Sequence, residues 1–194
     1  MEGKLNFSQV AALIVDGDNY ATGILGQILR GFGLTRHTIA SDGETAQRLF
    51  QGSHYDLVIC EYVLQDMQGA DFVRWIRRLP DARLKTVPVI LLTGYTQFSN
   101  VAAARDSGAN IVIKKPIAPN VLIDHIAWSA EGERPFIETN NYIGPCRRFK
   151  CTGPPGGIGR RSTDLSADVG AAIEPNMSQD EIDSFIKPTK VSIE

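Results

Sequence analysis

Four polar side chains close four short apolar runs. Asp16 ends Leu13-Ile14-Val15, Glu61 ends Leu57-Val58-Ile59-Cys60, Thr93 ends Val89-Ile90-Leu91-Leu92, and Lys115 follows Ile111-Val112-Ile113-Lys114. The runs are Leu-rich or β-branched and do not alternate with polar residues, the pattern of strands buried on both faces in a parallel sheet covered by helices. Open α/β sheets bind ligands beyond the carboxyl ends of such strands. Two carboxylates, a hydroxyl and an amine are therefore expected to converge on one site. Glu61 lies in its middle, as the candidate reactive acid.

The elements that must position these groups read in order. After a loose lead-in over residues 1–8, a strand over Val10–Val15 is followed by a helix from about Tyr20 to Arg30. Asp18 or Asn19 caps that helix, and Gly31 and Gly33 stop it. A second strand spans Thr35–Ala40, and Asp42 opens a helix running to Phe50. Strand three is Leu57–Glu61. A helix after Gly69 carries Phe72, Val73, Ile76 and Leu79, and Pro80 closes it. Strand four covers Val87–Leu92, a short Ala-rich helix Val101–Ser107, strand five Ile111–Lys114 and a last helix Asn120–Trp128. Five βα units in succession predict an α/β fold, a five-stranded parallel sheet with helices on both faces.

Bulk properties narrow the function classes. A chain of 194 residues holds one full-sized core and something extra, and a net charge of -2 gives no global drive toward nucleic acid or anionic membrane. No apolar stretch approaches the ~18 residues of a membrane span, and the N-terminus lacks a basic-then-apolar signal pattern. Cys60 reads as a small core residue. Cys146 and Cys151 have no histidine or second cysteine pair beside them, which argues against zinc. A reducing cytoplasmic location is expected.

With these residues placed, residues 9–129 resemble the receiver domain of bacterial response regulators, the family of the chemotaxis regulator that acts on the flagellar motor. The resemblance rests on Ile14-Val15-Asp16, Tyr55-Asp56-Leu57-Val58-Ile59-Cys60-Glu61, Met67-Gln68-Gly69, Pro88-Val89-Ile90-Leu91-Leu92-Thr93-Gly94, Gly108-Ala109 and Lys115-Pro116, in this order. It implies the flavodoxin-like receiver fold and a role in two-component, phosphorelay-type signalling. It also implies the family's chemistry: an Asp ending strand three accepts a phosphoryl group, two acids after strand one hold Mg²⁺, and the Thr and Lys contact the phosphoryl oxygens.

The sequence departs from that pattern at two positions. Glu61 stands where the phosphoacceptor Asp belongs, and Gly17 stands where the second metal acid belongs. Asp16 remains as a candidate metal ligand, with Asp18 one residue late. The extra methylene of Glu61 crowds the positions of metal and phosphoryl group, and in-line transfer depends on placement at about the 1 Å level. No cofactor is expected, and Mg²⁺ binding is expected to be weak or absent. The aromatic switch position of many receivers is Val112 here. The expectation is a non-enzymatic pseudo-receiver that acts by protein contact. In one reading Glu61 pairs with Lys115, reaches toward Thr93 and mimics the phosphorylated state. In another it neutralises Lys115 in an inert scaffold. A conventional phosphoacceptor with residual Mg²⁺-dependent phosphorylation is the alternative.

The composition changes after Ser129: residues 130–194 hold 7 Gly and 6 Pro. Residues 130–175 are expected to be a mostly disordered linker, 176–188 a short amphipathic helix and 189–194 a disordered end. Ser178 and Glu181 form an S-x-x-E capping box, Met177 and Ile182 stand at staple positions, and Ile182, Phe185 and Ile186 make one apolar face. Ser178-Gln179-Asp180-Glu181-Ile182-Asp183 resembles the N-terminal peptide of the flagellar motor-switch protein. That peptide implies docking on the face made by helix four, strand five and helix five of a receiver, here in cis or between copies, or contact with a flagellar or chemotaxis protein. A capped helix packing on its own domain is the plainer reading. The basic patch of Arg147, Arg148, Arg160 and Arg161 reads as a solvated charge run. Its arginine forks would also suit a cyclic dinucleotide, the third functional alternative.

Overall fold

The structure is a computed structural model that describes residues 7–130, 134–147 and 176–186. Five strands, β1 (Ala11–Val15), β2 (Arg36–Ala40), β3 (Leu57–Glu61), β4 (Val89–Thr93) and β5 (Ile111–Lys114), form one parallel sheet in the order β2-β1-β3-β4-β5. The register sets Val15 against Cys60, Glu61 against Leu92 and Thr93 against Lys114, so the polar run-ends share one edge of the sheet.

Successive residues of each run enter opposite cores. Ile14, Ile59, Ile90, Leu92 and Ile113 face one core with Leu25 and Leu29 of helix α1 (Asn19–Gly31) and Leu122 and Ile126 of α6 (Pro119–Ala130). Leu13, Val15, Val58, Cys60, Leu91 and Val112 face the other. There they meet Phe50 of α2 (Gly43–Gly52), Phe72 and Ile76 of α3 (Gly69–Arg77), and Val101 and Ala104 of α5 (Phe98–Asp106). Both faces are covered, which is why the runs do not alternate. Asp18 is the α1 cap and Asp42 the α2 cap. The predicted fourth and fifth helices are α5 and α6, because a five-residue helix, α4 (Ala82–Thr86), intervenes after the Asp81 cap.

Part of the segment expected to be disordered is ordered. Strands β6 (Phe136–Thr139) and β7 (Tyr142–Pro145) pair as an antiparallel hairpin through an Asn140-Asn141 turn. The Gly and Pro content of the whole 65-residue tail hides two short β-rich runs, Phe136-Ile137 and Tyr142-Ile143, flanking a turn dipeptide. Their docking rests on Arg77, a charged side chain only 1% exposed. Its guanidinium donates to the carbonyls of Gly108, Lys85 and Val87 and to Asn110 Oδ1, and it lies 5.5 Å from the Phe136 ring centroid. Burial pushes its pKa down to about 10, still well above neutrality. Gly108, at φ +96°, completes the seat, since a Cβ there would run into the Ile143 carbonyl oxygen. The rest of the predicted linker, residues 131–133 and 148–175, and the end from residue 187 lie outside the described residues.

The C-terminal helix α7 (Gln179–Ile186) lies within the predicted 176–188 segment. Its capping box forms as expected: Glu181 Oε2 accepts from Ser178 N at 2.7 Å and from Ser178 Oγ at 2.8 Å.

Candidate functional site

Three of the four predicted side chains meet at the carboxyl edge. Lys115 Nζ lies 3.0 Å from Asp16 Oδ2 and is ion-paired with Glu61 Oε2. The other oxygens are also held: Asp18 N donates to Asp16 Oδ1 at 2.9 Å and Tyr62 N to Glu61 Oε1 at 2.8 Å. Asp16 is 7% exposed, so the cluster is half sealed from water. Burial disfavours the Lys115 ammonium, but its bonds to Glu61 and Asp16 outweigh this and hold its pKa above the ordinary lysine value. Gly69 lets the start of α3 approach the end of β3, since a Cβ there would overlap the Glu61 carbonyl oxygen.

The fourth group points elsewhere. Buried Thr93 accepts from Tyr95 N at 2.9 Å and donates to Tyr95 O at 3.3 Å. The Glu61 carboxylate thus pairs with Lys115, while the Thr93 hydroxyl is engaged by Tyr95. Asp18 is spent on helix capping: its Oδ1 accepts from Tyr20 N at 2.8 Å and Ala21 N at 3.2 Å. Two carboxylates, rather than three, therefore face each other, with an ammonium group between them. Among the described residues no group of three His, Cys, Asp or Glu is placed to hold a metal ion. An acid at Gly17 would have little room: a Cβ there lies 3.1 Å from Ser41 O and 3.2 Å from Gln65 Nε2.

A second assembly lies beside this cluster, on the face of α5, β5 and α6, where α7 is seated. Asn176 bridges antiparallel to Gln97, and Met177 N donates to Thr96 O at 2.7 Å. Gln179 then treats the free edge of β5 as a strand would. Its Oε1 accepts from Lys114 N at 2.7 Å and its Nε2 donates to Val112 O at 3.1 Å. One side-chain amide thereby satisfies two outward-facing backbone groups on the outer side of β5. Val112 itself is fully buried.

Ile182 and Ile186 enter the core cluster that contains Val101, Ala104 and Val112. Each such side chain contributes roughly 1.5–3 kcal/mol by burial, which an isolated helix this short needs in order to form. Phe185 lies 5.0 Å from the Phe98 ring, and the Arg105 guanidinium carbon is 3.8 Å from the Phe185 centroid. At the α6 side His125 Nε2 lies 2.9 Å from Asp183 Oδ1, which also accepts from Gln179 Nε2 at 2.8 Å. Ile182, Phe185 and Ile186 are the apolar face legible in the sequence, Gln179 and Asp183 belong to the motif beside it, and His125 carried no signal. Gln179 and Asp183, four apart in the capped motif, carried a usable signal, because that spacing sets both on one helix face.

Of the predicted basic patch, Arg147 is the member among the described residues. It pairs with Asp106 at 2.8 Å and stacks 3.7 Å from the Tyr142 ring centroid, so it is pinned to the domain rather than solvated. Arg148, Arg160 and Arg161 lie outside the described residues.

Comparison with known proteins gives this arrangement a context. A family model described as the response regulator receiver domain matches residues 12–127. The chemotaxis protein CheY of Pseudomonas aeruginosa is 31% identical over 114 residues, covering 59% of this chain and 90% of that protein. CheY-3 of Vibrio cholerae is 31% identical over 122 residues, covering 63% of this chain and 92% of its own length. The crystal structure of a putative response regulator from Chloroflexus aurantiacus superposes with a TM-score of 0.59 at 27% identity, over 63% of this chain and 99% of the other. Receiver domains work in two-component signalling through protein partners. No helix among the described residues is long and apolar enough to cross a membrane. With the fold, the strand-end cluster and these similarities in agreement, the chain belongs to the response-regulator receiver family.

Proposed function

We propose that this protein is a pseudo-receiver that signals by protein contact, with its α5–β5–α6 face regulated by its own C-terminal helix. The observation that carries this reading is α7 seated on that face through Gln179, Ile182 and Ile186. A partner that uses the same face must first displace α7. The partner class is a flagellar or chemotaxis protein, in keeping with the CheY relatives, and the working location is the cytoplasm.

The acid–lysine cluster supports the loss of the phosphorylation cycle. Lys115 occupies the space between Asp16 and Glu61, both of its neighbours are already bonded, and Gly17 contributes no oxygen. This donor set does not fit Mg²⁺, which prefers octahedral oxygen ligation. The module is accordingly non-enzymatic and needs no cofactor. Glu61 holds Lys115 without engaging Thr93, which favours a neutralised scaffold over a full mimic of the phosphorylated state. The dinucleotide alternative is weakened by the engagement of Arg147 with Asp106 and Tyr142.

Ile182→Asp in the full chain tests the docking. Burying a carboxylate among Val101, Ala104 and Val112 costs roughly 3 kcal/mol or more, enough to shift docked to free by about a hundredfold. NMR spectra are expected to show changes concentrated at Phe98, Val112, Lys114 and His125. A variant spectrum unchanged at those amides would remove the proposal. Phosphorylation is tested by intact mass after incubation with acetyl phosphate and Mg²⁺. No adduct of ~80 Da is expected, and a stable one would restore the conventional phosphoacceptor reading.

A further inference from the structure

The end of the sheet opposite the acid–lysine cluster holds a cavity of about 430 Å³. The hairpin creates it by closing over the amino ends of the strands. Val10, Leu57, Pro88, Ile126 and Phe136 supply an apolar wall, and the polar groups on it are few and unequal in how well they are satisfied. The volume falls within the ~300–1,000 Å³ range of small-molecule sites.

Asp56 stands at the β3 end of the wall with both oxygens engaged, by Ala11 N at 2.9 Å and His54 Nε2 at 2.9 Å. Arg134 stands at the β5 end and is different. Three bonds to carbonyl oxygens fix it, two to Cys146 and one to Asn110, and it lies 5.3 Å from the Trp128 ring centroid. These neighbours position the guanidinium without neutralising it. No ion pair to Arg134 is present among the described residues, and burial lowers its pKa. Beside it, Asn110 spends its Oδ1 on Arg77 and Val89 N, while its Nδ2 makes no hydrogen bond among the described residues. Among the described residues, a positioned cation without an ion-pair partner and an amide donor without a hydrogen bond thus border a mostly apolar chamber. Asp56 and Asn110 flank β4 from two strands apart, roughly 10 Å, so the satisfied acid is well separated from the cationic end.

We infer that this cavity binds a small amphipathic monoanion, its carboxylate on Arg134 and Asn110 and its apolar body along Val10, Leu57, Ile126 and Phe136. The site is remote from the Glu61 cluster and from the α7 face, and it stands or falls independently of the function proposed above. A carboxylate there pairs with the Arg134 guanidinium through charge-assisted bonds, and an apolar body buries surface along the walls.

Octanoate is the probe, titrated into the ¹⁵N-labelled full chain, with octanol as the neutral control. Saturable changes at Val10, Leu57, Asn110 and the Arg134 Nε are expected, with a Kd below ~10 mM, near the weak limit for a probe of this size. Arg134→Met should weaken octanoate at least about tenfold and leave octanol unaffected. Val10→Trp, which fills the chamber without touching the arginine, should abolish binding of both, and it keeps the test decisive if Arg134→Met fails to fold. Absence of changes up to ~10 mM would overturn the inference. So would equal binding of octanol and octanoate, or changes confined to α5 and α7. Binding seen only after removal of residues 1–6 would assign the chamber to the chain's own N-terminal segment and likewise overturn it.

Discussion

The acid–lysine cluster and the α7 seat adjoin each other across β5 but satisfy their polar groups in opposite ways. At the cluster the partners belong to the receiver itself: Lys115 bonds Asp16 and Glu61, and the remaining carboxylate oxygens take backbone N–H groups next to them in sequence. At the seat, the Lys114 N–H and Val112 C=O are satisfied by Gln179, about 65 residues further along the chain. A closed cluster has nothing to exchange. An edge completed by a tethered segment can be opened and completed by something else. On the function proposed above, this difference sets a site at Glu61 whose groups already hold one another against a β5 edge whose partner can be exchanged.

The cluster depends most on Lys115. Lys115→Met leaves Asp16 and Glu61 facing each other without a counter-charge. Since these groups are only partly exposed, the expected loss is roughly 3 kcal/mol of unfolding free energy. Chemical denaturation measures it, and adding Glu61→Gln should recover part of the loss. If the single variant is as stable as the parent, the cluster is not a closed electrostatic unit. Gln179→Ala probes the seat with a smaller effect, about 1–2 kcal/mol of docking, because two backbone groups lose their partner at an edge that water can reach. Hydrogen exchange at the Lys114 amide should accelerate while the receiver core keeps its protection. Acceleration throughout the sheet would mean that α7 belongs to the core fold and is not a separable latch.

The smallest effect is the pH response of the cluster. Lys115 has a folded-state pKa above its unfolded value, so its contribution is fully present below the ordinary lysine range and is lost as pH rises through the raised value. Stability followed from pH 9 upward, to about pH 11, should fall more in the parent than in Lys115→Met. Equal slopes would show that the ion pairs contribute nothing net.

Much of this was legible in the residues. The runs ending at Asp16, Glu61, Thr93 and Lys115 read as buried parallel strands, because they are short, rich in β-branched residues and apolar on both faces. Ser178 and Glu181 announce a helix start, because that spacing satisfies orphan N–H groups locally. Both signals are short-range and survive without knowledge of the fold.

What the tertiary structure alone decided depends on atoms distant in the chain. The hairpin at 136–145 was hidden because its stability comes from Arg77, Gly108 and Phe136 meeting across three elements, and a buried arginine has no sequence signature distinguishing it from a surface one. Thr93 turning to Tyr95 is a rotamer choice no spacing predicts. The same holds for Gln179, whose residue type suits any exposed helix position. Its role appears only when β5 is found at the edge of the sheet, with two backbone groups in need of a partner.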